Sequence, residues 1–396
     1  MSEKRKNCLL LAAVILLVAG LAVTGILLPD QQISLTERRS LAQLPTVSVS
    51  LVLDKSFSEA FDSYSQDQFP FREWFRRVRA WTNRLVFRLR DDNGIYIEDG
   101  YAAKIEYPLD EASVFHAAAR FSYVYDRYLA DMGSAVYVSV VPDKGYFLAG
   151  KHGAPAMDEE KLTDLLTGQM LYASYIDLFP ALSMEDYYAT DIHWRQEKIV
   201  PVARLLLQKM KEDSGNPTDP VISAAMDGGD TKDTALQEAD VPAEDGGYTT
   251  EKASDAFYGV YCGQTALSLA PDLLYYLDSE WLSGCTVWDY EAQKEIPVYD
   301  LSQAAGRDPY SMFLGGSRAL LTITNPAASS DRELLLFRDS FGSSIAPLLA
   351  EGYAKITLID IRYISPELLD RFVTFDGQDV LFLYSVSVLN HSETIR

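Results

Sequence analysis

Cysteine is scarce: three in 396 residues, with Cys8 inside an apolar run and only Cys262 and Cys285 outside it. That number is too small for a disulfide framework. The remaining two are compatible with one disulfide or with two buried thiols. Histidine is almost as rare. His116 falls in an amphipathic helical pattern, His152 in a Gly-rich loop, His391 five residues from the C-terminus, and His193 in Ala189-Thr190-Asp191-Ile192-His193-Trp194. His193 has no second histidine at ligand spacing, and carboxylates alone are too common to identify a site, so no metal is expected; no cofactor is expected either. Basic charge is in deficit, 35 Lys and Arg against 57 Asp and Glu, giving a net charge of -22 and a pI near 4.6, which argues against a nucleic-acid partner. No G-x-S-x-G occurs, which disfavours an ordinary α/β-hydrolase, and no internal repeat is evident.

What is present is organised around Leu334 to Tyr363. The apolar run Leu334–Phe337 reads as a buried strand, Arg338-Asp339-Ser340-Phe341-Gly342 as a turn, the next stretch as a helix, and Lys355–Ile361 as a second buried strand. Strand, turn, helix, strand is the pattern of a parallel α/β sheet. Ser340 then lies at the carboxyl end of a strand, where open sheets place ligands. Asp191 and His193, two apart in extended backbone, share a face and supply an orienting carboxylate and a base. Each piece has a plainer reading: Ser340 as a helix cap, Asp191-x-His193 as a surface pair.

TDIHW followed far downstream by RDSFG resembles the DHHW proteins, relatives of alginate O-acetyltransferases in the SGNH-hydrolase group. Glu37-Arg38-Arg39-Ser40-Leu41-Ala42, Asp67-Gln68-Phe69-Pro70-Phe71-Arg72, Val141-Pro142-Asp143-Lys144, Leu314-Gly315-Gly316 and Ile359-Asp360-Ile361-Arg362-Tyr363 follow in the same order. Two positions depart from the pattern. Ile192 stands where the family usually has the first histidine of its name, and Ser317 stands where an asparagine is expected.

The resemblance implies an SGNH-like parallel sheet with flanking helices and a Ser340-His193-Asp191 triad. It also implies an extracytoplasmic O-acetyltransferase or acetylesterase acting on a cell-surface or exported polysaccharide through an acetyl-serine, with a multi-spanning membrane acyltransferase as acetyl source. Gly316, Ser317, Lys144 and Arg338 are candidates for the oxyanion site or for substrate contact, although Lys144 also reads as an exposed loop lysine. The competing class is a non-catalytic scaffold that binds polymer or assembly partners through its 24 tyrosines.

Cys8–Leu28 is 21 residues without a charge, preceded by Lys4-Arg5-Lys6. It is long enough to cross a bilayer at about 1.5 Å per residue. An uncleaved anchor with the rest of the chain outside is expected, a cleaved signal peptide being the rival. The expected organisation is 1–28 cytoplasmic tip and anchor, 29–57 tether, and 58–396 catalytic domain. Within it, 211–247 is read as an acidic disordered insertion, with ten Asp or Glu against two Lys. Pro70–Arg90 reads as a helix with Trp74, Phe75, Val78, Trp81 and Leu85 on one face and most of seven arginines opposite. The arginines either pair with surplus carboxylates or face anionic lipid or polysaccharide. Ile95–Ile105 reads as a hairpin, Glu111–Asp131 and Glu159–Met170 as helices, and Ala135–Val141 and Asp379–Val386 as strands. A helix is expected over Thr265–Leu277, a helical stretch over Trp194–Lys211 interrupted or kinked at Pro201, and a strand end at Met312–Gly316.

Overall fold

Leucines and β-branched residues that point to opposite sides in turn need an apolar layer on each face of their sheet. The computed structural model, which describes residues 3–34, 37–47, 56–212, 247–266 and 269–396, has that arrangement. Its strands are β1 (Val136–Val141), β2 (Ser174–Tyr175), β3 (Thr286–Asp289), β4 (Lys294–Ile296), β5 (Leu320–Thr324), β6 (Glu333–Arg338), β7 (Lys355–Ile359) and β8 (Asp379–Ser385). They form one sheet in the order β4-β3-β5-β7-β6-β8-β1-β2. Neighbours from β7 to β2 run parallel, whereas β5, β3 and β4 are added antiparallel, so the expected parallel sheet is the core of a mixed one. Leu334, Leu336, Leu381 and Leu383 enter one core with helix Val200–Glu212. Leu335, Phe337, Val380 and Phe382 enter the other with helices Glu111–Val124 and Glu159–Gln169. Truncating any one of these buried leucines to alanine costs about 2–5 kcal/mol.

The described chain divides into two units. The first is Met1–Lys104 with Ala189–Asp191 and Tyr258–Pro271; the second is Ile105–Tyr188, Ile192–Phe257 and Asp272–Arg396. Residues 58–104 join the first unit because their polar side chains are used up on the segment after the apolar helix α1 (Glu3–Leu27). Gln68 holds the N–H and the carbonyl of Gln31, and Asp67 takes a bidentate grip from Arg39 at 2.5 and 2.8 Å. The stretch read as a tether thus carries a two-residue ladder, Ile33–Ser34 against Arg39–Ser40. Helix α2 (Arg72–Leu85) follows, then the strands Ile95–Glu98 and Tyr101–Lys104 of the expected hairpin. The acidic stretch 213–246 lies outside the described residues.

Two local expectations are corrected and a third is narrowed. Asp272–Asp278 is a strand paired with Thr249–Phe257, not the end of a helix: Pro271 precedes it and its Leu-Leu-Tyr-Tyr-Leu run has strand chemistry. The stretch expected to be helical from Trp194 is interrupted, not kinked: a 3₁₀ turn, Gln196–Lys198, ends before the helix Val200–Glu212, and Pro201 lies in that helix's first turn, where no N–H is required. Met312 ends a short 3₁₀ turn, Pro309–Met312, and Leu314, Gly315 and Gly316 then form a left-handed turn instead of a strand end.

Candidate active site

Strand β6 is central, and the chain passes from its carboxyl end through α3 (Gly342–Leu349) to β7 on one side, with β8 on the other. Strand order diverges there, opening a crevice at the strand ends. Asp339, fully buried, shapes the turn. One carboxyl oxygen accepts the Phe341 N–H at 3.0 Å, and the other accepts the Ser385 N–H and hydroxyl at 2.7 and 2.6 Å. Gly342 is required next, because a Cβ there would meet the Arg338 Cβ at 2.6 Å. The result lifts Ser340 to a half-buried position. Among the described residues its N–H makes no hydrogen bond.

His193 reaches the same point from a loop closed by a bridge between Tyr187 and Trp194. Its Nε2 lies 2.8 Å from the Ser340 hydroxyl oxygen. With the ring proton on Nδ1, the serine hydroxyl donates to Nε2, the arrangement that lets histidine take a proton from serine. The Tyr310 ring stacks on the imidazole, centroids 3.8 Å apart and 8° from parallel, and Phe341 closes the other flank at 5.0 Å. Ser344 holds these parts together. Its hydroxyl oxygen accepts from the Tyr310 hydroxyl and the Trp194 indole, each at 2.8 Å, while its carbonyl accepts from the Gln196 amide at 2.7 Å. Trp194 and Gln196 are fully buried, so the histidine loop is fixed by satisfied hydrogen bonds.

Asp191, in the first unit, is fully buried. Its carboxylate accepts from the Arg38 guanidinium at 3.0 Å and from the Val260 N–H at 2.9 Å. Gly259 lets that segment approach: a Cβ on it would lie 2.4 Å from the Asp191 Cβ.

Lys144, Arg338 and Gly316 have partners within the fold. Lys144 is not an exposed loop lysine: it is fully buried, its ammonium donating to the Tyr188 carbonyl at 2.9 Å. Arg338 is buried as well, bonded to the Asp339 carbonyl and the Ser343 hydroxyl, 3.8 Å from Asp360. Desolvation lowers its pKa, an effect the Asp360 charge opposes. The Gly316 N–H is already donated to the Phe313 carbonyl at 3.1 Å, and Ser317 is exposed. Sequence reasoning missed Asp339, Ser344 and Tyr310. Ser344 is one helical turn beyond Ser340, a spacing that signals a shared face. Tyr310 left no signal.

None of the three cysteines is in a disulfide, and burial pushes the Cys285 thiol up to about 11. Among the described residues no group of His, Cys, Asp or Glu has the arrangement of a metal site.

No family model and no curated protein sequence matches the chain. Solved structures do. A DHHW family protein from Eubacterium siraeum DSM 15702 is 19% identical, with a TM-score of 0.54, over 76% of this chain and 95% of that one. Bacillus cereus PatB1 is 16% identical, with a TM-score of 0.56, over 74% and 96%. PatB1 with a sulfonyl adduct superposes at 0.55. At these identities the likeness is one of fold, and the chain shares the fold of a DHHW family protein and of PatB1.

Proposed function

We propose that this chain is an extracytoplasmic O-acetyltransferase, anchored by α1, that moves an acetyl group onto a hydroxyl of an exported or cell-surface polysaccharide. The observation that carries the reading is the 2.8 Å contact between His193 Nε2 and the Ser340 hydroxyl at the end of β6. A scaffold that merely binds polymer has no use for a histidine locked against a serine by Tyr310 and Ser344. The solved PatB1 adduct supports the same chemistry, since sulfonyl electrophiles label activated nucleophiles.

In this mechanism Ser340 attacks the acetyl carbonyl as its proton passes to His193, and the Ser340 N–H donates to the tetrahedral oxyanion. Asp191, two residues before the histidine, is assigned the orienting role. The leaving group takes the proton from His193, giving an acetyl-serine. A sugar hydroxyl then attacks that ester while His193 accepts its proton; water in place of the sugar makes the reaction an esterase. The acetyl group comes from a multi-spanning membrane acyltransferase, the partner that the family resemblance implies. Helix α1, 25 residues long and apolar enough to cross a membrane, supports the anchor.

The test uses the full chain in detergent with an activated acetyl ester, read by intact mass and peptide mapping. An adduct on Ser340 that is lost in Ser340→Ala and in His193→Ala is expected. Folded protein with neither adduct nor ester turnover would sink the proposal.

A further inference from the structure

Helix α2 is turned opposite to what its composition suggests. At about 100° per residue, Trp74, Val78, Trp81 and Leu85 form one stripe. That stripe faces outward: Trp74 is 59% exposed, Trp81 47% and Leu85 66%. The inward face holds Ala80 and the arginines Arg72 and Arg76, which pair with Glu37 and Glu73, while Arg79, exposed, reaches Asp92 at 3.1 Å. Arg77 and Arg84 flank the exposed stripe, and Arg88 follows just past the helix. These three make no ion pair among the described residues. Val86 and Phe87 extend the exposed apolar surface.

The position of this surface within its own unit is fixed by α1. The two hydrogen bonds between Gln68 and Gln31, at 2.9 and 2.8 Å, fasten the start of α2 four residues past the end of α1. Gly25 packs close to Pro70, leaving 3.3 Å between an added Cβ and the proline ring. Leu28, Ile33, Phe69, Pro70 and Phe71 share the walls of one open groove of about 710 Å³ at this junction. A helix with tryptophans outward and unpaired arginines along the edge therefore stands where a membrane-crossing α1 leaves the bilayer.

We propose that α2 is an interfacial collar. Its Trp74, Val78, Trp81, Leu85 stripe sits in the outer headgroup layer, with Arg77, Arg84 and Arg88 on anionic lipid phosphates. Charge complementarity and the junction with α1 select lipid over polymer, and tryptophan is suited to that layer. The inference rests on α1 being an anchor, but not on the acetyl chemistry.

The full chain, reconstituted into phosphatidylglycerol-containing vesicles, reports through tryptophan emission, because α1 contains no tryptophan. Bromine placed high on the acyl chains quenches the native protein more than bromine placed deep. Trp74→Phe with Trp81→Phe removes at least about half of that quenching, consistent with a shallow interfacial helix. Arg77→Glu with Arg84→Glu lowers it as an independent check. Native protein that floats with vesicles but shows no shallow quenching, or equal quenching in the tryptophan variant, overturns the collar and leaves the anchor standing. Protein that does not float overturns both. Loss of the same emission on adding an anionic polysaccharide, with none from lipid, overturns it in favour of a polymer surface.

Discussion

Trp194 and Trp74 are the same residue under opposite rules. Trp194, in the unit with the large sheet, is fully buried and donates its indole N–H to Ser344. Trp74, in the unit with α1, is 59% exposed. Arginine follows the same division: Arg338 is 1% exposed with bonded partners, and Arg77 is exposed with no ion pair among the described residues. In the first region, around Ser340, Trp194, Arg338 and Asp339 are each placed by a partner within the fold, which is what a preorganised reaction centre requires. In the second, apolar bulk and positive charge point outward together. Water alone rewards the charge but not the bulk, so the arrangement suits a boundary between water and a less polar phase.

The sharpest way to separate the regions is to delete the base. His193→Ala is expected to lower kcat/KM for an activated acetyl ester by roughly 10⁴-fold or more, because the serine loses its proton acceptor. The α2 variants, by contrast, should leave turnover of a small soluble ester within about twofold, since surface changes away from a site are usually near neutral. A large loss of ester turnover in Arg77→Ala would mean the two regions are not separate in function.

The next effect is in stability. Ser344→Ala removes the acceptor of two buried donors, the Tyr310 hydroxyl and the Trp194 indole. Unpaired buried donors cost about 1–3 kcal/mol each, so a loss of roughly 2–6 kcal/mol is expected in thermal unfolding, with ester turnover falling as His193 loses its support. Trp74→Phe, in contrast, should leave the unfolding midpoint nearly unchanged in detergent.

The strands around Ser340 were legible because their apolar runs lie between clear turn signals, and the pairing of Ser340 with His193 was legible because the chain has so few histidines. The error over Asp272–Asp278 came from a short apolar stretch whose partner strand, Thr249–Phe257, is a long-range neighbour that periodicity cannot see. Lys144 was misread for a related reason. A lysine after a strand looks exposed until the fold brings the Tyr188 carbonyl to its ammonium. The amphipathic pattern of α2 was read from sequence, but the side that faces inward was not. Either face of such a helix can be buried, and Glu37, Asp67 and Asp92 decide it here by gripping the arginines.

A pH effect belongs to the sheet-bearing unit. Burial first, then the charge of Asp143, raises the Glu159 carboxyl from 4.5 to about 9, and burial raises Asp143 to about 6. The folded state therefore holds protons that the unfolded state releases. Stability from this source is complete below about pH 4.5 and falls as pH rises toward 9. Glu159→Gln mimics the protonated acid, so its unfolding midpoint should exceed that of the native chain by a few degrees near pH 8 and match it near pH 4.5. A variant that is less stable at both pH values would show that the carboxylate is paired and ionised instead.

The smallest effect compares neighbours. Arg76 and Arg77 are adjacent in sequence but lie on different faces of α2. Arg76 has a side chain 17% exposed, pairs with Glu37 at 3.2 Å and Glu73 at 3.3 Å, and donates to the Gly263 carbonyl. Arg77 is exposed and has no such contacts. Removing Arg76 leaves Glu37 short of a partner in a half-buried network, so Arg76→Ala should cost about 1–2 kcal/mol in detergent, whereas Arg77→Ala should cost less than about 0.5 kcal/mol. Equal losses would mean that Arg77 has a partner within the fold, and the outward face of α2 would then be an ordinary protein surface. A loss confined to Arg76→Ala leaves Arg77 with no role in folding, and its charge then has to be accounted for by something outside the chain.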